Sequence, residues 1–320
     1  MGEDIFHPDW LQFEKEIGYR PLLYPPFVRI QEQFQKFGGI LVSKYEFPAP
    51  DPSVKTADHT TKSGIKVRVY TPENYSRNKP VGVYFHGGGW AMGSVDEYEA
   101  ECRTMAKLAD VVLVSVDYRL APASKWPGPI NDCYEGYLWA VEHSKEIGGN
   151  GKLFTTGVSA GGHLALSIAL KVIDDGKGDS LKGVAAFMPV TCHPSAYPAE
   201  LREKFEAREK FADLTIDTKD AMDEFWNLFG APPDHKYASN LLHTKIGSLP
   251  KVYLNAAGVD TLRDDARVFK EILDQKGVPN KYDEFEKVPH FFYAFPAPCL
   301  KKLSEDYFSR ITKGIEYVIS

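Results

Sequence analysis

Apolar, β-rich runs alternate with helix-length segments along most of this chain. KVRVYTP (66–72) and VGVYFHG (81–87) read as strands, and EYEAECRTMAKLAD (97–110) reads as a helix. A strand at 111–119, a helix at 129–147, a strand at 153–159 and a helix from Ala160 to about Ile173 follow. The rhythm resumes with strands at 183–191, 251–260 and 280–288, and with helices near 264–275 and 300–318. The strand runs are too continuously apolar for one face to meet water. That predicts an α/β fold, a mostly parallel central sheet covered by helices on both sides.

One interval breaks the pattern. From His193 to about Leu249 no convincing strand occurs, only aromatic-rich and charged helical material such as AMDEFWNLFG (221–230). An insertion this long inside a compact fold is usually functional, for example a lid. The first 50 residues, with YRPLLYPPF among them, precede the alternation and are expected to pack against that insertion. The division is therefore an N-terminal segment (1–50), a core (51–192 and 250–320) and an insertion (193–249), within one continuous domain.

Charge narrows the partners. A formal net charge of −6 over 320 residues, with no stretch gathering lysine and arginine onto a face, argues against nucleic acid or an anionic membrane. A small neutral or apolar partner fits better. The start, MGEDIFHPDW, is acidic where a signal peptide would be basic, and no apolar run approaches the roughly 18 residues of a membrane span, so a cytoplasmic location is expected. Phe6 breaks the N-myristoylation pattern, and the sequon at Asn74 has meaning only after secretion. Cys102, Cys133, Cys192 and Cys299 are scattered without paired C-x-x-C spacing, which predicts reduced thiols. No H-E-x-x-H occurs and the histidines are dispersed, so neither metal nor cofactor is expected.

The chemistry concentrates in FTTGVSAGGHLAL (154–166). A strand runs into Gly157-Val158-Ser159-Ala160-Gly161 and straight on into a helix, the strand-turn-helix setting in which G-x-S-x-G is credible. The flanking glycines admit a sharp turn, and the new helix aims its N-terminal dipole at the serine. Ser159 is a nucleophile candidate; the plainer reading is a serine N-cap. A serine hydroxyl needs a base and a group that orients the base. Of nine histidines, His290 in KVPHFFYAF follows the last strand, and Asp260 in LNAAGVDTLRDDA follows the preceding one, at the sheet edge where catalytic groups collect. Taken singly, a loop histidine is solvent-exposed and Asp260 is a helix cap. Taken together with the elbow, the order Ser159, Asp260, His290 points to a triad. Asp264 and Asp265 compete for the acid role but lie inside the following helix.

VYFHGGGW (83–90) fits the same chemistry. Attack on a carbonyl places negative charge on its oxygen, and preset amide donors there are worth roughly 3 kcal/mol each. The amides of Gly87, Gly88 and Ala160 would supply them, with His86 anchoring the loop. Side chains at 87–89 would crowd the substrate out. Phosphate binding, the other use of such a loop, would require G-x-G-x-x-G or a G-K-[ST] ending, and neither is present.

HGGGW, DYRLAPASKWPGPINDCYEG, GVSAGGHLA, DTLRDDA and VPHFFYAF, in this order from about residue 65 to the C-terminus, resemble the hormone-sensitive-lipase-like group of the α/β-hydrolase superfamily, the family of many microbial carboxylesterases. The resemblance implies a triad of Ser159, Asp260 and His290, an oxyanion hole of Gly87, Gly88 and Ala160, and a cap made of the N-terminal segment and the 193–249 region. It also implies a homodimer through the last strand and helix. Three positions depart from the family pattern: Val158 where Asp often precedes the nucleophile, Ala123 where Glu usually follows YRLAP, and Phe291 where glycine commonly follows the histidine.

The expected function is hydrolysis of short- to medium-chain acyl esters, or of a compact natural-product ester, through an acyl-enzyme. Trp90, Trp126, Tyr197, Phe225, Trp226, Phe229 and Phe291 are candidates to line the pocket, although aromatic residues are more often plain core. Two other classes stay open. The same triad could serve a biosynthetic acyltransferase, lactonase or cyclase, and the scaffold could serve as a non-catalytic ligand receptor.

Overall fold

The computed structural model describes residues 5–320, so the first four residues of the N-terminal segment lie outside it. Helices α1 (Pro8–Ile17) and α2 (Phe27–Lys44) precede strands β1 (Val54–Thr60), β2 (Lys66–Pro72) and β3 (Lys79–Phe85). Helix α3 (Glu99–Ala109), strand β4 (Leu113–Val116), helix α4 (Gly128–His143), strand β5 (Gly149–Val158), helix α5 (Ala160–Asp174) and strand β6 (Leu181–Phe187) then alternate. After short helices α6 (Ala207–Lys210) and α7 (Lys219–Phe229) come β7 (Lys251–Ala257), α8 (Arg263–Gln275), β8 (Asn280–Phe285) and α9 (Lys301–Ile319). None of the described helices is long and apolar enough to cross a membrane.

The strands form one sheet in the order β1-β2-β4-β3-β5-β6-β7-β8. From β4 to β8 every neighbour is parallel, while β1 and β2 join antiparallel. The mostly parallel sheet is thus the observed one. β1 is the strand that the apolar pattern omits. Only Val54 in it is buried, because an edge strand with both faces in water needs no apolar alternation.

Side-chain alternation along the strands places helices on opposite faces. Gly183, paired with Phe154, turns toward Val318 of α9, and a Cβ there would lie 2.6 Å from that side chain. The next pair, Thr155 and Val184, turns the other way, and Thr155 Oγ1 donates to Ala165 O of α5 at 2.9 Å. α5 is apolar and buried nearly throughout, as expected of a helix sealed between sheet and insertion.

The 193–249 interval contains no strand among the described residues. Its main helix, α7, begins at the cap Thr218, whose Oγ1 accepts from Ala221 N at 3.2 Å, and ends at Gly230 with φ 67°. Its buried face is Ala221, Met222, Phe225, Trp226 and Phe229. The N-terminal segment packs on this interval. Leu23 N donates to Ile216 O at 3.1 Å, Phe27 N donates to Glu224 Oε1 at 2.9 Å, and Thr218 Oγ1 donates to Leu23 O.

Candidate active site

β5 ends at Val158, α5 starts at Ala160, and Ser159 between them holds φ 58° and ψ −123°. A non-glycine residue in that region stores of order 1–3 kcal/mol of strain and persists only where its surroundings impose it. Here Ser159 N donates to Phe187 O at 2.8 Å and His163 N donates to Ser159 O at 3.0 Å. The flanking glycines are required by packing: a Cβ on Gly157 would lie 2.6 Å from the Gly161 backbone, and one on Gly161 would run into the Phe85 carbonyl.

Strand register carries the other two groups to the same edge. Val158 pairs with Phe187, Phe187 with Asn255, and Ala257 with Phe285, so the loops bearing Asp260 and His290 leave the sheet beside the elbow. His290 Nδ1 donates to Asp260 Oδ2 at 2.6 Å, and Asp260 Oδ1 accepts from Leu262 N at 2.8 Å. Asp260 and His290 are buried, and Ser159 is 6% exposed. The far nitrogen, His290 Nε2, is buried without a partner. Among the described residues no hydrogen bond joins it to Ser159 Oγ, a contact that commonly tightens only around substrate. Asp264 and Asp265 point elsewhere. Asp264 Oδ2 accepts from Ala207 N at 2.6 Å, and Asp265 Oδ1 accepts from Thr191 N at 2.7 Å, so both hold the chain where it enters the insertion.

The glycine loop is held from behind. His86 Nδ1 donates to Gly87 O at 2.8 Å, its ring stacks on Tyr118 with centroids 4.2 Å apart, and Tyr118 Oη donates to His86 O at 2.8 Å. Burial lowers the His86 pKa to about 4, so it stays neutral and serves as an anchor. The Gly87 amide faces the Tyr98 hydroxyl. Those of Gly88, Gly89 and Ala160 have no acceptor among the described residues. Gly88 has φ 109° and Gly89 has φ 60°. A Cβ on Gly88 would strike the Met92 carbonyl, and one on Gly89 would strike the Phe225 ring. The protein itself, rather than substrate alone, therefore demands these glycines.

The aromatic candidates separate into groups. Trp90 stacks on Phe229 with centroids 4.6 Å apart, meets Trp226 at 4.6 Å, and donates through Nε1 to His163 Nδ1 at 3.2 Å. These residues form a closed stack between α5 and α7. Trp126 meets its edge through Phe229 at 5.6 Å, and Tyr197 stacks on Phe205 at 3.7 Å. Phe225 lies over Gly89 and Phe291 beside Gly87, where each would meet a Cβ on the glycine loop.

One acidic group escapes the sequence reading. Asp217, from the loop ahead of α7, places Oδ2 4.0 Å from His290 Nδ1. Thr215, two residues earlier, accepts His290 N at 3.1 Å. Nothing local in TIDTKD distinguishes Asp217 from the turn residues expected before a helix. Asp217, Asp260 and His290 each bring one donor atom within 4.8 Å of the others. The 2.6 Å bond from Nδ1–H to Asp260 already fills the histidine nitrogen, so the trio reads as hydrogen-bonded rather than as a metal cage. The four cysteines are free thiols.

Residues 82–294 match the family described as alpha/beta hydrolase fold. A versiconal hemiacetal acetate esterase of Aspergillus parasiticus is 39% identical over 317 residues, covering 99% of each chain. An esterase of Pyrobaculum calidifontis superposes with a TM-score of 0.80 at 27% identity, covering 98% of this chain and 100% of that one. A vibralactone cyclase superposes with a TM-score of 0.85 over 100% of this chain and 97% of its own, at 24% identity, which speaks to the fold alone. The strained serine, the sheet-edge acid and base, and these likenesses converge: the chain belongs to the α/β-hydrolase superfamily, in the carboxylesterase group related to hormone-sensitive lipase.

Proposed function

We propose that this ester hydrolase works as a serine carboxylesterase that removes a short acyl group, acetate foremost, from a compact ring-bearing alcohol. The observation that carries the mechanism is His290, bonded to Asp260 at 2.6 Å on one side and unpartnered at buried Nε2 on the other. Ser159 Oγ attacks the ester carbonyl while Nε2 takes its proton, and Asp260 steadies the imidazolium. The carbonyl oxygen, now negative, is received by the amides of Gly88 and Ala160, with Gly87 beside them. The alcohol leaves with the proton from Nε2. Water, deprotonated by the same nitrogen, then releases the acid from Ser159.

The substrate reading is supported by the acetate esterase named above, aligned along essentially the whole chain. It is also supported by the crowding of Phe225 and Phe291 around the glycine loop. In this reading the N-terminal segment and the 193–249 interval form the cap. The cyclase likeness, at 24% identity, adds no observation in favour of a ring-closing reaction. A receptor would have no use for a strained Ser159.

Initial rates on p-nitrophenyl esters from acetate to palmitate, with Ser159→Ala alongside, test the proposal. We expect a maximum at acetate and a loss of at least about a thousandfold in the variant. Near-background rates for both proteins would overturn the esterase mechanism.

A further inference from the structure

Asp217 comes from the cap, whereas Asp260 and His290 come from the sheet edge, and all three are buried at 6%, 0% and 1% exposure. The two carboxyls are held differently. Asp260 accepts a main-chain amide, Leu262 N, and the imidazole N–H. Asp217 is met by hydroxyls, with Thr215 Oγ1 2.7 Å from Oδ1 and Thr261 Oγ1 2.8 Å from Oδ2, and by the neighbouring Asp260 carboxyl.

Thr261 constrains where the protons lie. Its hydroxyl stands 2.9 Å from Asp217 O and 2.8 Å from Asp217 Oδ2, yet it carries one hydrogen. If that hydrogen goes to the main-chain carbonyl, the second contact is satisfied by a proton on Asp217 itself, donated to Thr261 Oγ1. Thr215 is constrained in the same sense. Its oxygen accepts His290 N–H, which leaves its hydrogen for Asp217 Oδ1. Every polar atom around Asp217 is then paired with the carboxyl neutral.

We propose that Asp217 is a positioning residue that works as a neutral carboxylic acid, its Oδ2–H bonded to Thr261, so that a single negative charge faces His290 and the imidazole rests neutral. The inference rests on the triad reading above. The ionisable groups facing Asp217 are Asp260, from the loop after β7, and His290, from the loop after β8; Thr215 and Thr261 are neutral. Burial, reinforced by the charge of Asp260, raises the proton affinity of Asp217 far above the carboxylate range. For His290, burial works against the charged form, but Asp260 and Asp217 together outweigh it and raise its pKa. An Asp217 that passed its proton to the imidazole would leave Ser159 without a base. It would also repel Asp260 and break the bond to Thr261.

The pH dependence of kcat/KM on p-nitrophenyl acetate, from pH 5.5 to 9.5, tests this for the wild type, Asp217→Asn and Ser159→Ala. The wild type is expected to rise on the acid side as His290 loses its proton. It should then fall at least threefold by pH 9.5 as Asp217 loses its own, because two adjacent carboxylates repel and the bond to Thr261 is lost, which displaces Asp260 from the imidazole. Asp217→Asn cannot ionise, but its amide can donate to Thr261, and its alkaline fall is expected to vanish. A wild-type profile without an alkaline fall, or a variant that keeps the wild-type fall, would overturn the inference. A purely structural Asp217 would change melting temperature and leave the profile in place. Activity surviving in Ser159→Ala would instead sink the triad reading on which the inference stands.

Discussion

Phe291 follows His290 with φ 59°, and its ring meets the imidazole edge-on with centroids 4.5 Å apart. Its Cζ reaches toward Gly87, where a Cβ would lie only 3.0 Å away. The ring thus occupies the space between the proposed base and the proposed oxyanion loop. Left-handed backbone costs a side-chain-bearing residue about 1–2 kcal/mol. Glycine would avoid that cost, so the ring's position must return something for it.

Replacing Phe291 by glycine should enlarge the acyl site and relax the backbone together. The kcat/KM ratio of hexanoate to acetate is expected to rise at least tenfold, measured on p-nitrophenyl esters. Phe291→Ala should open the same space but keep the backbone strain, and so melt below Phe291→Gly. An unchanged chain-length ranking in both variants would remove Phe291 from the acyl site.

Tyr118→Phe isolates the support of the glycine loop. The ring can still stack on His86, while the 2.8 Å bond to His86 O is lost and a buried carbonyl is left unpaired, at a cost of about 1–3 kcal/mol. Oxyanion donors act through their preset position. We expect kcat to fall about tenfold with KM nearly unchanged. A lower melting temperature with kcat intact would limit Tyr118 to stability.

The parts legible in the sequence are those governed by local pattern. β3 announces itself through the apolar run VGVYF, and Asp260 and His290 through their places just after strands. β1 is hidden because its exposed faces free it from alternation. Asp217 is hidden because its proposed role depends on the 193–249 interval packing against His290, a tertiary event with no local signature. Trp90, Trp226 and Phe229 show that aromatic content does not separate core from pocket lining; their mutual stacking decides it. Glu101 reads as one more charge on an amphipathic helix, yet its carboxyl turns inward between Tyr84 and Tyr293.

That inward turn gives stability a pH dependence whose sign can be worked out. Burial pushes the Glu101 pKa up to about 7 from 4.5, although hydroxyls of Tyr84 and Tyr293, each 3.1 Å away, pull the other way. Between those values the folded protein keeps a proton that the unfolded chain releases. Stability contributed by this group therefore falls as pH rises through 4.5 to about 7 and stays low above that range. A gap of this size corresponds to roughly 3–4 kcal/mol. Glu101→Gln cannot ionise and keeps an oxygen for one tyrosine. Urea unfolding at pH 5 and pH 8 should show a smaller loss of stability between the two for the variant than for the wild type, by up to about 2 kcal/mol. Asp265, raised to about 7 by burial, titrates in both proteins, so the comparison rests on the difference between them. Parallel stability curves for the two proteins would mean that Glu101 is already ionised in the folded state, and that its two tyrosines stabilise the charge more than burial opposes it.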